Sequence, residues 1–164
     1  MDKGEIAIFE AIDIHTHFNH ASKYDTISNE IYLVEIEDIL RIGKLAGIGR
    51  IFCSTFASVL SDAEVTEEND YLYDIVENRD NLYQWFVIDP KKEETYIQAK
   101  KMLESKKCVG IKLHPPCHNY SLEDYGDKVF KFAAEYVLCR FILKRILIIF
   151  FRLQVFRKKI RKIF

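Results

Sequence analysis

The chain has 164 residues, 49% of them apolar and 30% charged, the profile of a folded protein about one domain long rather than of a disordered one. Lys plus Arg number 24 and Asp plus Glu 25, for a formal net charge of −1. That sum hides a break: residues 1–136 hold 15 basic and all 25 acidic residues, a net of −10, whereas residues 137–164 hold 9 basic and no acidic ones, a net of +9.

In chain order, the N-terminus is acidic and lacks a signal-peptide pattern. Residues 11–17 (AIDIHTH) predict a strand, with Ile12 and Ile14 alternating against Asp13, His15 and His17. A loop follows through Asn29. Residues 34–45 predict a helix with Val34, Ile39, Ile42 and Leu45 on its apolar side, stopped by Gly47-Ile48-Gly49. Residues 50–55 (RIFCST) predict a second strand, and 66–77 a second helix with Thr66 as its N-cap and acidic residues in its first turn. Residues 82–89 (LYQWFVID) predict a third strand ended by Pro90, followed by a helix over 93–105. A fourth strand over 108–114 (CVGIKLH) ends at Pro115-Pro116, and a fourth helix covers 122–136.

Four β-α units spaced by roughly 30 residues imply parallel strands with crossover helices, in an open doubly wound sheet or a (β/α)8 barrel. A whole barrel typically takes about 250 residues, so this chain holds at most half of one. Strands one and four would then be unpaired edges, with the inner face open to water unless the tail or a second copy covers it. Gly43, Gly47 and Gly49 form no phosphate-binding G-x-x-x-x-G-K loop. Cys53, Cys108, Cys117 and Cys139 include no C-x-x-C pair and are expected as reduced thiols of an intracellular, cytoplasmic protein.

Several residues carry chemistry. His15 and His17 are two apart on a strand, so both side chains point the same way, near the C-terminal strand ends where α/β sites form. They read either as polar strand-end residues or as two imidazoles sharing a metal ion. Asp13 is expected on the same face, one step deeper, where it would set an imidazole tautomer. On the fourth strand, Val109, Ile111 and Leu113 would face the helices, and Gly110, Lys112 and His114 the other side. One face with Lys and His suits a barrel better than an open sheet, whose strands are apolar on both faces. Lys112 needs a partner if buried: a carboxylate, an anion or a covalent modification. The alternative is that it snorkels at a sheet edge. Asp89-Pro90 reads first as a turn and helix-start device. His20 and His118 read as solvent-exposed loop histidines, and Cys117-His118 has the wrong spacing for a known zinc module. Trp85 and the tyrosines read as core and helix-packing residues.

IDIHTHF at 12–18, VIDP at 87–90, and VGIKLHPP at 109–116 followed by the FKFAAEY helix resemble the amidohydrolase superfamily. The closest likeness is to its metal-dependent branch that includes decarboxylases related to aminocarboxymuconate semialdehyde decarboxylase. The resemblance covers roughly residues 10–136. It implies the N-terminal half of a (β/α)8 TIM barrel with a divalent metal, most often Zn2+, in its mouth. By that pattern His15 and His17 are metal ligands, and Lys112 and His114 stand near a small organic substrate in the catalytic site. The reaction implied is amide or ester hydrolysis, or decarboxylation. In other branches a lysine at the end of strand four is carbamylated and bridges two metals, a position that Lys112 matches loosely.

The departure comes after Tyr136. The family continues into a fifth strand with a metal-binding histidine, a sixth-strand histidine and an eighth-strand aspartate. Here VLCRFILKRILIIFFRLQVFRKKIRKIF follows, with no histidine after His118 and no acidic residue after Glu135. The tail also lacks Gly, Pro, Ala, Ser, Thr and Asn, and its longest uncharged run, 146–151, is far short of the roughly 20 residues that span a membrane. The expectation is therefore a partial metal-dependent hydrolase domain over 1–136 and an atypical tail over 137–164, read as a frameshift or gene-model product. Such a chain is expected to be inactive or impaired by itself. The competing reading is a non-catalytic module that uses the basic apolar tail on a membrane surface or a partner. No nucleic-acid-binding motif accompanies the basic end.

Overall fold

The computed structural model describes residues 11–20, 34–60 and 64–138. Four strands form one sheet: β1 (Ala11–Phe18), β2 (Ile48–Thr55), β3 (Leu82–Val87) and β4 (Cys108–Lys112). Their order is β1-β2-β3-β4 and every neighbouring pair is parallel. Sequential parallel neighbours require a crossover between them, which the helices supply. The fold is thus mixed α/β, with β1 and β4 as the sheet edges among the described residues.

The long helices are α1 (Ile36–Leu45), α3 (Val65–Glu77), α4 (Glu93–Met102) and α6 (Leu122–Phe132). Helix α1 stops where the spacing predicts, because Gly47 adopts φ +70°, a left-handed conformation that glycine takes without a Cβ penalty. Ile36, Ile39 and Leu40 pack on a core of Phe18, Ile51, Cys53, Leu72, Val76 and Leu82, whereas Ile42 and Leu45, expected on the apolar side, are 51% and 80% exposed: the buried stripe runs through 36, 39 and 40 instead. A second core joins Phe86, Ile88, Tyr96, Ala99, Met102 and Val129, with Ile111 and Leu113 packed against it. Ile111 and Leu113 therefore face the helices as expected. Both cores lie on one side of the sheet.

Several boundaries differ from the sequence reading. Strand β2 begins at Ile48 rather than 50, immediately after the Gly47 turn. Helix α3 starts at Val65 with Glu64 at the N-cap position; the Thr66 hydroxyl donates to the Glu64 carboxylate instead of capping. Two short helices were not anticipated: α2 (Phe56–Leu60), which follows β2 without a loop, and α5 (Pro115–His118). Strand β4 accordingly ends at Lys112, and Pro115 opens a helical turn, where its fixed φ and missing N–H are tolerated. Helix α6 runs on into a π-helical segment, Ala133–Leu138. Among the described cysteines, Cys53, Cys108 and Cys117 form no disulfide. Residues 139–164, most of the tail and with them Cys139, lie outside the described residues. No helix among the described residues is long and apolar enough to cross a membrane.

Candidate functional site

Strand β1 is irregular, and the irregularity shapes the site. Asp13 pairs with Ile51, but Thr16 pairs with Cys53, so β1 spends three steps where β2 spends two. One extra residue in a strand reverses which side the following residues face. Asp13 and Thr16 therefore share the side of the buried Ile51 and Cys53, and the Thr16 hydroxyl donates to Asp13 Oδ2 at 2.5 Å. Asp13 Oδ1 accepts the backbone N–H of His15 at 2.9 Å. The expectation that Asp13 lies beside the imidazoles and orients one is corrected: it braces the bulge from the opposite face. The Ile14 carbonyl, freed by the bulge, accepts the Trp85 indole N–H at 2.8 Å. Trp85 thus crosses the face away from the helices, with Phe52 and Tyr83 beside it. The helix-packing role expected for Trp85 is corrected too.

On that same open face His15 and His17 converge, with their Nε2 atoms 3.1 Å apart. Lys112 reaches them from the far edge of the sheet, its Nζ 2.8 Å from each Nε2. Lys112, 97 and 95 residues from His15 and His17 in sequence, thus brings a third nitrogen to the point where the two imidazoles meet. Beneath it, Gly110 keeps β4 clear of Trp85: a Cβ there would stand 2.6 Å from Trp85 Cζ3.

The protonation pattern follows from the partners. His17 Nδ1 lies 3.1 Å from the Ser54 carbonyl oxygen, which only accepts, so Nδ1 carries the proton and the Nε2 lone pair is free to accept. Ser54 Oγ is also 3.1 Å from Nδ1, and the imidazole stacks on Phe56 with centroids 5.0 Å apart. Ser54 therefore does the orienting expected of Asp13. It sits in register beside His17, at the end of β2; a serine in the polar end of RIFCST was the only signal the sequence offered. Burial, then the nearby Lys112 and His15, push His17 down to about 3. His15 is lowered by burial and by Lys112, with Asp13 acting the other way. Lys112 is pushed down to about 8 by burial. Both imidazoles are thus neutral near pH 7, the state that can ligate a metal.

His114 lies at the N-cap of α5, and its Nδ1 accepts the Cys117 N–H at 3.3 Å. A neutral ring then carries its proton on Nε2. Its pKa is lowered by burial, then by His118 and Lys112. Asp89 behaves as the turn device expected: Oδ1 accepts the Lys91 N–H, and its carbonyl accepts the Thr95 hydroxyl just inside α4.

The other two histidines are not exposed loop residues. His20 is largely buried, 2.9 Å from Glu68 Oε1 and stacked on Tyr71 with centroids 3.5 Å apart. His118 is buried, with Nε2 2.9 Å from the Ser58 carbonyl oxygen. In both cases a helix that the sequence reading did not place over the loop, α3 or α2, supplies the partner.

Among the described residues no group of three or more His, Cys, Asp or Glu side chains converges to hold a metal ion. His15 and His17 bring two imidazole nitrogens to one point, against the three protein ligands that catalytic zinc sites usually keep. The third nitrogen present is that of Lys112. A cleft of about 580 Å³ adjoins α5 and is bounded by Lys91, Pro115, Tyr120 and Tyr125; none of the three converging residues lines it. Comparison with models of protein families, with curated proteins and with solved structures found no match to this chain.

Proposed function

We propose that the chain carries the first half of a metal-dependent hydrolase of the amidohydrolase type, built as four β-α units of a (β/α)8 barrel. The observation that supports this reading is the convergence of His15 and His17 Nε2, 3.1 Å apart at the C-terminal ends of the strands, with the His17 tautomer set by Ser54. Helices packed on one side of a parallel sheet, with Lys and His on the other, also suit a barrel better than an open sheet.

His15 and His17 would hold the divalent ion, most suitably Zn2+ given two imidazole donors. When bound, such an ion supplies a water of lowered pKa and polarises a carbonyl or carboxylate oxygen. The chain's own residues do the rest. Ser54 and Phe56 fix the His17 ring. His114, with its proton on Nε2, donates a hydrogen bond to an oxygen of a small organic substrate. Lys112 stands within reach of the same substrate. The reaction is hydrolysis of an amide or ester, or loss of carbon dioxide from a small organic acid.

Metal analysis after dialysis against millimolar zinc tests the reading. About one ion per wild-type chain is expected, and none in His15→Ala/His17→Ala. The same content in both proteins would overturn the assignment. Because only two imidazoles converge among the described residues, turnover by the 164-residue chain is expected to be slight; robust zinc-dependent turnover would contradict that.

A further inference from the structure

We propose that Lys112 is an internal competitor of the metal: its Nζ takes the point between His15 and His17 that an ion shared by both imidazoles must occupy. The inference rests on the metal reading above and adds a role for a residue of this chain toward that ion.

The geometry carries it. A zinc ion sits about 2.0–2.1 Å from an imidazole nitrogen. With the two Nε2 atoms 3.1 Å apart, an ion on the side from which Lys112 approaches falls about 1 Å from Nζ. The two positions exclude each other. The hydrogen-bond directions agree. His17 donates from Nδ1 to Ser54, so its Nε2 accepts, and Lys112 Nζ at 2.8 Å must be the donor. At His17, Nζ therefore presents an N–H bond to the lone pair a metal would use, rather than a lone pair of its own. Among the described residues no carboxylate forms an ion pair with Lys112; the contacts that hold Nζ are the two imidazoles.

The backbone permits release without unfolding. Lys112 pairs with Val87, and its carbonyl accepts the Ile88 N–H at 3.1 Å, so the Cα stays fixed while the four-carbon stem rotates. Metal binding then selects the fraction of molecules in which the lysine has swung out. Apparent affinity falls by that fraction, about ten-fold if the lysine is in place nine-tenths of the time.

The test titrates the full chain, freed of metal by chelation and dialysis, with Co2+ alone. The readouts are visible d–d absorption and calorimetry. Lys112→Met keeps the length of the side chain and removes the amine. It is expected to bind Co2+ about ten-fold or more tightly than wild type, with a spectrum of the same imidazole ligation. Lys112→Arg, which keeps a cationic donor, is expected to stay weak and serves as the check on folding. Adding His15→Ala is expected to abolish binding in either background. Equal or weaker binding by Lys112→Met overturns this proposal and leaves the metal reading intact; weaker binding would make Lys112 a ligand. Failure of both wild type and Lys112→Met to bind Co2+ overturns the metal reading, and the proposal with it.

Discussion

On the helix-covered face of the sheet, Ile51, Cys53, Leu82 and Phe86 are fully buried, whereas on the other face Phe52, Tyr83 and Trp85 keep part of their rings in solvent and Ile12 is 48% exposed. The covered face contains the two larger apolar cores, and polar side chains among them bond the backbone. Asn69 of α3, for example, donates to the Val87 carbonyl oxygen at 2.9 Å and accepts the Val87 N–H at 3.1 Å. The open face carries His15, His17 and Lys112, three polar side chains satisfied mainly by one another. Packing specifies one face. On the other, His15, His17 and Lys112 are held close together, and burial, then the electrostatic cost of that closeness, lowers the pKa of both imidazoles.

Substitutions on each face sharpen that contrast. The largest loss is expected from Phe86→Ala, which empties a fully buried site in the covered core and should remove about 3–5 kcal/mol in chemical denaturation. Asn69→Ala leaves the buried Val87 N–H and C=O without their partner and is expected to lose about 1–3 kcal/mol by the same measurement. Gly110→Ala probes the open face: its new Cβ meets the Trp85 ring, so a loss of about 1–3 kcal/mol is expected, together with a change in Trp fluorescence. Only one tryptophan is present, so the signal is specific.

The pH dependence isolates the site. In the folded protein His17 titrates at about 3, below its ordinary value of 6.5. Between those values the unfolded chain binds the proton and the folded one does not. Stability is therefore expected to fall as pH drops from 6.5 toward 3, by at most about 1.4 kcal/mol per pH unit from this group. His17→Ala should flatten that part of the profile. For Lys112, lowered to about 8 from 10.5, the same sign makes stability rise with pH between 8 and 10.5, a slope that Lys112→Met should remove. The smallest effect is expected at Leu45, 80% exposed on α1, where Leu45→Lys should stay within about 0.5 kcal/mol.

Much of this was legible in the residue order. The alternation of Ile12 and Ile14, the Gly47 stop, and the Pro90 and Pro115 breaks predict the four β-α units within a few residues. They do so because strand and helix periods are local properties. The open-face side of β4 was also readable, since period two places Gly110 and Lys112 together once Ile111 is assigned to the core, whereas His114, expected on the same strand, lies beyond its end as the N-cap of α5. Asp13 was misplaced because one bulge inverts a strand's faces and leaves no mark in composition. His20 and His118 were misread because a loop histidine's burial depends on which helix lies over it. Glu68 and Ser58 are 48 and 60 residues away from them.

Sequence by itself determined the four strands and four long helices, their order, the helix-facing Ile111 and Leu113, and the pairing of His15 with His17 on one side of a strand. Tertiary structure alone decided that Lys112, from the opposite edge of the sheet, ends 2.8 Å from both imidazoles, and that Ser54 rather than Asp13 sets the His17 tautomer. The physical reason is range: periodicity and turn chemistry act over a few residues, whereas the site is made by side chains that only strand order and register bring together.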